Sequence, residues 1–244
     1  MNSKQVEQMR ESLERLVPDD LINAETTGRE TLALHLERYQ LALRHVRGRI
    51  LDLACGVGYG TRHLADQGRD VTEAIGVDVA GDAIAYARER YARPGVRFEL
   101  FDAHEFHDDH GFDTVVSLET IEHVRDPEKL LVRLIAALRP GGTLITSVPT
   151  TPSVDVNPHH LHDFTERSFR AMVSRFGVRE IDHLRQVQKY GLWSVLSRSE
   201  TRMSSMREGL AGYYLRNPMA AGRRLAATVR YGFTNRYLTV AWQR

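Results

Sequence analysis

Apolar residues recur with helical spacing from Gln5 to Leu16, and that run stops near Val17-Pro18-Asp19-Asp20. A second helix is expected from about Arg29 to His45, with Leu32, Leu36, Tyr39 and Leu43 on one face; Gly48 then breaks the chain. Beyond it, short apolar runs alternate with helical patterns. Strands are expected at Arg49–Leu53, Glu73–Val79, Val96–Phe101, Thr114–Leu118 and Thr143–Val148. Helices are expected at Thr61–Gln67, Ala83–Tyr91, from Asp126-Pro127 to about Leu138, and at Thr165–Phe176. Asp126 suits an N-cap and Pro127 the first helical position. Arg139-Pro140-Gly141-Gly142 reads as a turn. Arg179–Val187 alternates as a strand does, and Tyr237–Trp242 is a closing strand.

Nearly all-apolar strands alternating with helices predict a doubly wound, mostly parallel α/β sheet of seven strands. Residues 1–48 form a helical cap, 49–188 the core, 189–235 a helical insertion and 236–244 the last core strand. An insertion of this length without a strand pattern is expected to be a cover that selects the substrate.

At 244 residues with 42% hydrophobic and 27% charged residues, the chain can bury one sizeable core. Its net charge of +1 argues against a dedicated nucleic-acid binder. The charge is uneven: Ser197 to Arg244 carries nine Arg, no Lys and two Glu. The single cysteine, Cys55, excludes an internal disulfide and reads as a packing residue. The first residues are polar and no apolar run approaches a membrane span, so the expected compartment is the cytoplasm. Oligomeric state stays open, a homodimer included.

The first strand feeds directly into Gly56-Val57-Gly58-Tyr59-Gly60. In open α/β sheets, ligands bind beyond such strand ends, and glycines let the backbone approach them. Asp78 ends the second strand and suits two ribose hydroxyls; Asp102, followed by Ala103, ends the third and suits an adenine. The third glycine comes one residue early for a dinucleotide loop, and Asp52 stands in the strand end. A carboxylate there repels a pyrophosphate and attracts a sulfonium and an ammonium, which favours S-adenosyl-L-methionine over NAD.

After the fourth strand comes Glu119-Thr120-Ile121-Glu122-His123. In a helical turn, residues at i, i+3 and i+4 share a face, so both carboxylates and the imidazole are expected to converge. That donor set suits a divalent cation. Asn157-Pro158-His159-His160-Leu161-His162 follows the fifth strand and can supply a fourth ligand. A nearby imidazole would take a hydroxyl proton. His159 and His162 are expected to be bystanders, and His104, His107 and His110 a solvated loop.

These stretches, with Phe112-Asp113-Thr114-Val115-Val116 and Leu138-Arg139-Pro140-Gly141-Gly142, resemble the successive motifs of class I methyltransferases. Ala54 stands where that family more often has glycine. The resemblance implies a Rossmann-like core and a cofactor set of Arg38, Asp52, Ala54, Gly56, Gly58, Asp78, Asp102, Ala103 and Leu118. The Glu-x-x-Glu-His pattern is similar to that of metal-dependent small-RNA 2′-O-methyltransferases and of ubiquinone-pathway O-methyltransferases. It implies Mg²⁺ or Mn²⁺ on Glu119, Glu122, His123 and His160, with Glu119, His123 and His160 as catalytic groups. Leu34-His35-Leu36-Glu37-Arg38-Tyr39 and Asn157-Pro158-His159-His160 resemble bacterial polysaccharide and sugar O-methyltransferases. By that resemblance His35, Arg38 and Tyr39 line the site and the acceptor is a saccharide. The alternatives are a small-RNA 2′-O-methyltransferase, a quinone or other small-molecule O-methyltransferase, and a non-catalytic S-adenosylmethionine-binding protein.

Overall fold

The computed structural model describes residues 26–103, 105–189 and 209–244. The expected helix at Gln5–Leu16 and the side chain of His104 lie outside them. Among the described residues, helix α1 (Thr26–Leu43) leads to strand β1 (Gly48–Leu53), α2 (Tyr59–Gln67), β2 (Val71–Asp78), α3 (Gly81–Tyr91) and β3 (Val96–Leu100). Then follow β4 (Phe112–Leu118), α4 (Pro127–Ala136), β5 (Leu138–Pro149), α5 (Glu166–Ser174) and β6 (Arg179–Lys189). The insertion supplies α6 (Leu210–Arg216) and α7 (Pro218–Tyr231), and β7 (Thr234–Gln243) closes the chain.

The strands form one seven-stranded sheet in the order β3-β2-β1-β4-β5-β7-β6. β1 through β5 pair in parallel, whereas β7 runs antiparallel to both β5 and β6. The doubly wound, mostly parallel sheet therefore stands as the sequence pattern predicts. The order reverses at β1 and β4, and the crevice beyond their C-terminal ends is where such sheets bind ligands.

Because side chains alternate along a strand, each strand feeds two cores. Leu51 and Leu53 of β1 join Leu130, Leu131 and Leu134 of α4 and Phe169 and Val173 of α5 on one face. Ile50 joins Tyr39, Leu41 and Ala42 of α1, Leu64 of α2, and Ile84 and Ala87 of α3 on the other. Asp126 caps α4 by accepting from the Lys129 N–H, with Pro127 in its first turn. Thr165 and Ser168 form a reciprocal capping box at the start of α5.

Four local expectations are corrected. α4 stops at Ala136, and Arg139–Gly142, expected as a turn, bulges out within β5: Leu138 pairs with Phe112, and pairing resumes at Thr143 with Thr114. β7 begins at Thr234, so the insertion ends earlier than expected. On α1 the buried side is Thr31, Arg38, Tyr39, Leu41 and Ala42, while Leu36 is 37% exposed. The reason is a polar seam with β6. Arg38 Nε donates to Gln186 Oε1 (2.9 Å), Gln186 Nε2 donates to the Leu34 carbonyl (2.9 Å), and Gln188 Nε2 donates to Thr31 Oγ1 (3.3 Å). Matched polar groups can be buried without penalty, but they are invisible to hydrophobic counting.

Candidate active site

A cavity of about 720 Å³ opens over the C-terminal ends of the central strands. The loop after β1 forms its floor through Ala54, Cys55, Gly56 and Val57; Asp78, Val79, Phe101, Asp102 and Ala103 form one end. Leu118, Glu119, Thr120 and His123 form the other, with His35, Tyr39 and Tyr59 above.

Within the floor, Ala54 (φ 63°), Gly56 (φ 55°) and Gly58 (φ 85°) all adopt left-handed backbone. The glycines differ in purpose. A Cβ at Gly56 would meet nothing within 4 Å, so its open face belongs to the cavity. A Cβ at Gly58 would lie 2.6 Å from the Phe98 ring and 2.7 Å from Ala87. Gly58 is thus required by packing, and the expected ligand contact from it is replaced by a close helix–strand approach.

Asp78 is fixed at the strand end: one oxygen accepts from the Gly56 N–H and the other from the Ala80 N–H, both at 2.9 Å. A carboxylate oxygen has a second lone pair, so both remain able to accept ligand hydroxyls. Asp102, just beyond the end of the neighbouring β3, lines the same cavity, as do the apolar Val79 and Phe101. Two acceptors beside apolar surface suit an adenosine. Val79, Phe101 and Tyr59 escaped sequence reasoning; Tyr59, within the glycine loop, was the one with a positional signal. Its hydroxyl lies 3.2 Å from His35 Nδ1.

Besides Gly58, two expected cofactor residues do not line the cavity. Asp52 shares the face of β1 that packs on α2, where it accepts from Thr61 Oγ1 at 2.6 Å. Burial pushes its carboxyl up to about 7, although the Thr61 hydrogen bond opposes the rise. Its charge therefore acts from below the loop and is not full at neutral pH. Arg38 is 1% exposed, bonded to Gln186 and stacked 4.5 Å over the Tyr237 ring. It approaches the cavity only through Glu119, 3.8 Å from its Nη1.

The candidate metal ligands are also rearranged. Ligand atoms of Glu122, His123 and His160 all lie within 4.8 Å of one another. Glu119 stands outside this triad. The turn starts after it, at Thr120, whose carbonyl accepts from the His123 N–H. Glu119 itself takes a left-handed φ of 49°, a strained conformation for a residue with a side chain. Its N–H donates to Ser147 Oγ (2.9 Å), which in turn donates to its Oε1 (2.7 Å). The i, i+3, i+4 argument fails because no helix passes through residue 119.

Glu122 is wholly buried. Its carbonyl accepts from the N–H groups of Leu161 (2.8 Å) and His162 (3.3 Å), which fastens the loop after β5 against this turn. The His123 and His160 rings meet edge to face, 4.6 Å between centroids. His123 Nδ1 lies 3.2 Å from the His159 carbonyl, and His160 Nδ1 lies 2.7 Å from Ser153 Oγ. Burial, then the neighbouring His123 and His159 imidazoles, lower His160 to about 3, so it stays neutral and able to donate a lone pair. One buried carboxylate and two imidazoles with their Nδ1 atoms engaged by outer partners form a donor set that fits a divalent cation.

The other histidines of this stretch and of the loop before β4 are held differently. His162 Nε2 lies 2.9 Å from the Val124 carbonyl, the His159 ring is exposed, and His107 pairs with Asp109 on the surface. Cys55 is buried, and burial raises its thiol well above the ordinary value, as befits packing and not nucleophilic attack.

Residues 51–146 match the family model described as a methyltransferase domain. A Mycolicibacterium smegmatis protein, named a probable S-adenosylmethionine-dependent methyltransferase, is 30% identical over 159 residues, 60% of this chain and 58% of that protein. The ubiquinone biosynthesis O-methyltransferase of Azorhizobium caulinodans is 35% identical over 144 residues, 54% of each. The chain thus spans little more than half the length of these two relatives. In fold, it is similar to the N-methyltransferase NodS of Bradyrhizobium japonicum, solved with S-adenosyl-L-homocysteine. The TM-score is 0.59 at 15% identity, covering 98% of each chain. No helix among the described residues is long and apolar enough to cross a membrane.

Proposed function

We propose that the chain, whose residues 51–146 match a methyltransferase domain, uses S-adenosylmethionine to methylate a hydroxyl of a saccharide, assisted by a divalent cation. The reading is carried by one observation. The same cavity has the Gly56 loop, Asp78 and Asp102 at one end and Glu119 and His123 at the other, with Glu122 and His160 clustered on His123. In this reading the adenosyl group lies between Val79 and Phe101 with its ribose hydroxyls on Asp78. The methyl group then faces the end that carries Glu119 and His123.

Glu122, His123 and His160 would hold the cation, which when bound lowers the pKa of an acceptor hydroxyl. Glu119, freed from a ligand role and lining the cavity, accepts the hydroxyl proton. The acceptor oxygen forms its bond to the methyl carbon as the carbon–sulfur bond breaks, and the electron pair leaves with S-adenosylhomocysteine. The insertion over residues 190–233 selects the acceptor. The saccharide is supported by the similarity of Leu34–Tyr39 and Asn157–His160 to sugar O-methyltransferases, and by the affinity of adjacent hydroxyls for a cation.

The test is transfer of a labelled methyl group from S-adenosylmethionine to oligosaccharides, quinol precursors, short RNAs and amines, with and without chelator. Uptake into a saccharide, lost in chelator and restored by Mg²⁺ or Mn²⁺, is expected. Uptake only into an amine or RNA would overturn the acceptor; full activity in excess chelator would remove the cation.

A further inference from the structure

The loop that carries His160 is held by a cluster remote in sequence. Asp155 is 3% exposed and lies between β5 and His160. Arg224 of α7 grips it with two hydrogen bonds, Nε to Oδ2 at 2.8 Å and Nη2 to Oδ1 at 2.5 Å. Arg224 Nη2 also donates to the Pro152 carbonyl at 2.5 Å. Tyr214 of α6 donates its hydroxyl to Asp155 Oδ2 at 2.6 Å. The two described helices of the insertion therefore meet on one buried carboxylate. Burial alone would raise the Asp155 carboxyl, but the bonds from Arg224 and Tyr214 outweigh it and hold it below its ordinary value.

The contacts continue to His160 without a gap. Pro152 precedes Ser153 directly, and Asp155 follows it two residues on, after Val154. The Ser153 and Val154 N–H groups donate to Asp163 Oδ1 (2.8 and 3.1 Å), and the Ser153 carbonyl accepts from the Asn157 N–H (2.8 Å). Ser153 Oγ is the group facing His160 Nδ1. A residue that bonds the outer nitrogen of an imidazole sets the direction of its other nitrogen.

We propose that Arg224 and Tyr214 are positioning residues that hold His160 at the site by clamping Asp155. The insertion is then more than a cover: displacement of α6 and α7 swings the backbone around Ser153 and releases the imidazole. This rests on the reading of His160 as a site residue, but the clamp has a signature that needs neither cation nor activity.

The experiment compares R224Q, R224K, Y214F and S153A with the unaltered chain. It records the ring-nitrogen NMR signals of His160 without metal, amide hydrogen exchange over residues 150–163, affinity for Mn²⁺, and affinity for S-adenosylhomocysteine. R224Q is expected to shift the His160 signals in the direction S153A does and to speed exchange over 150–163. R224K, which keeps the charge without the fork, should fall between R224Q and the unaltered chain. Mn²⁺ affinity should drop roughly tenfold in R224Q, the low end for outer partners of a ligand. Cofactor affinity should hold, because none of these residues lines that end of the cavity. His160 signals and exchange unchanged in both R224Q and Y214F would overturn the clamp. An unaltered chain that binds no Mn²⁺ would instead overturn the cation reading, leaving the metal-free signals to judge the clamp.

Discussion

Gly56 and Gly58 stand two residues apart in one loop, and their substitution by alanine should fail in opposite ways. In G58A the new Cβ meets the Phe98 ring at 2.6 Å and Ala87 at 2.7 Å, both buried in the core beneath the loop. A left-handed non-glycine residue costs about 1–2 kcal/mol. Forcing a methyl group into a packed site costs about 1–3 kcal/mol more. Reduced freedom of the unfolded chain returns about 0.4–1 kcal/mol. The net loss is about 1–5 kcal/mol, a large part of the roughly 5–15 kcal/mol that holds a domain together. In G56A only the backbone cost and the unfolded-chain gain apply, so the net loss is about 1 kcal/mol or less. Ala54, already at φ 63° in this loop, shows that alanine is accommodated there. G56A instead places a methyl group in the cavity. Thermal unfolding should therefore show G58A melting roughly 2–18 °C lower, at about 2–4 °C per kcal/mol, and G56A within a few degrees of the parent. Titration with S-adenosylhomocysteine should show the larger loss of affinity in folded G56A. Equal destabilisation by the two substitutions, or unaltered ligand affinity in G56A, would refute the division of labour.

Other consequences are as direct. Asp52 has a folded pKa of about 7 against an ordinary 3.8. The native state therefore holds a proton that the unfolded chain has lost between those values, and the Asp52 contribution to stability fades as pH rises through about 7. Urea unfolding from pH 4 to 8 should show this decline, and D52N should flatten it; an equal slope in D52N would contradict the burial argument. Replacing Glu122 or His160 should abolish high-affinity Mn²⁺ binding measured by electron paramagnetic resonance, whereas E119Q should keep it within a few-fold. Loss of Mn²⁺ binding in E119Q would return Glu119 to the ligand set.

The sheet was legible because its strands are apolar enough to be recognised without context, and the capping of α4 because Asp126-Pro127 is a local signal. The docking of α1 was not legible. It depends on Arg38 and Thr31 meeting Gln186 and Gln188 from roughly 150 residues away, and pairing of that kind leaves no periodicity in either segment. The candidate site divides in the same way. Strand ends place Asp78 and Asp102 through topology alone, so their spacing in the sequence carried real information. The charge of Asp52 suits a sulfonium, but strand alternation turns it toward α2. The Glu119-x-x-Glu122-His123 spacing suits a helical turn that the left-handed backbone of Glu119 excludes. The Asp155–Arg224 contact joins two segments with no shared motif, and only the folded chain brings them together.

Methyl transfer by this chain depends first on the adenosyl end of the cavity. Calorimetric titration of S-adenosylhomocysteine into the chain, alongside D78A and D102A, tests it most directly. One saturable site per chain is predicted, weakened in each variant by roughly 10–150-fold, as loss of a hydrogen bond to a charged group of about 1.5–3 kcal/mol requires. No binding to the unaltered chain, or undiminished binding to both variants, would contradict it.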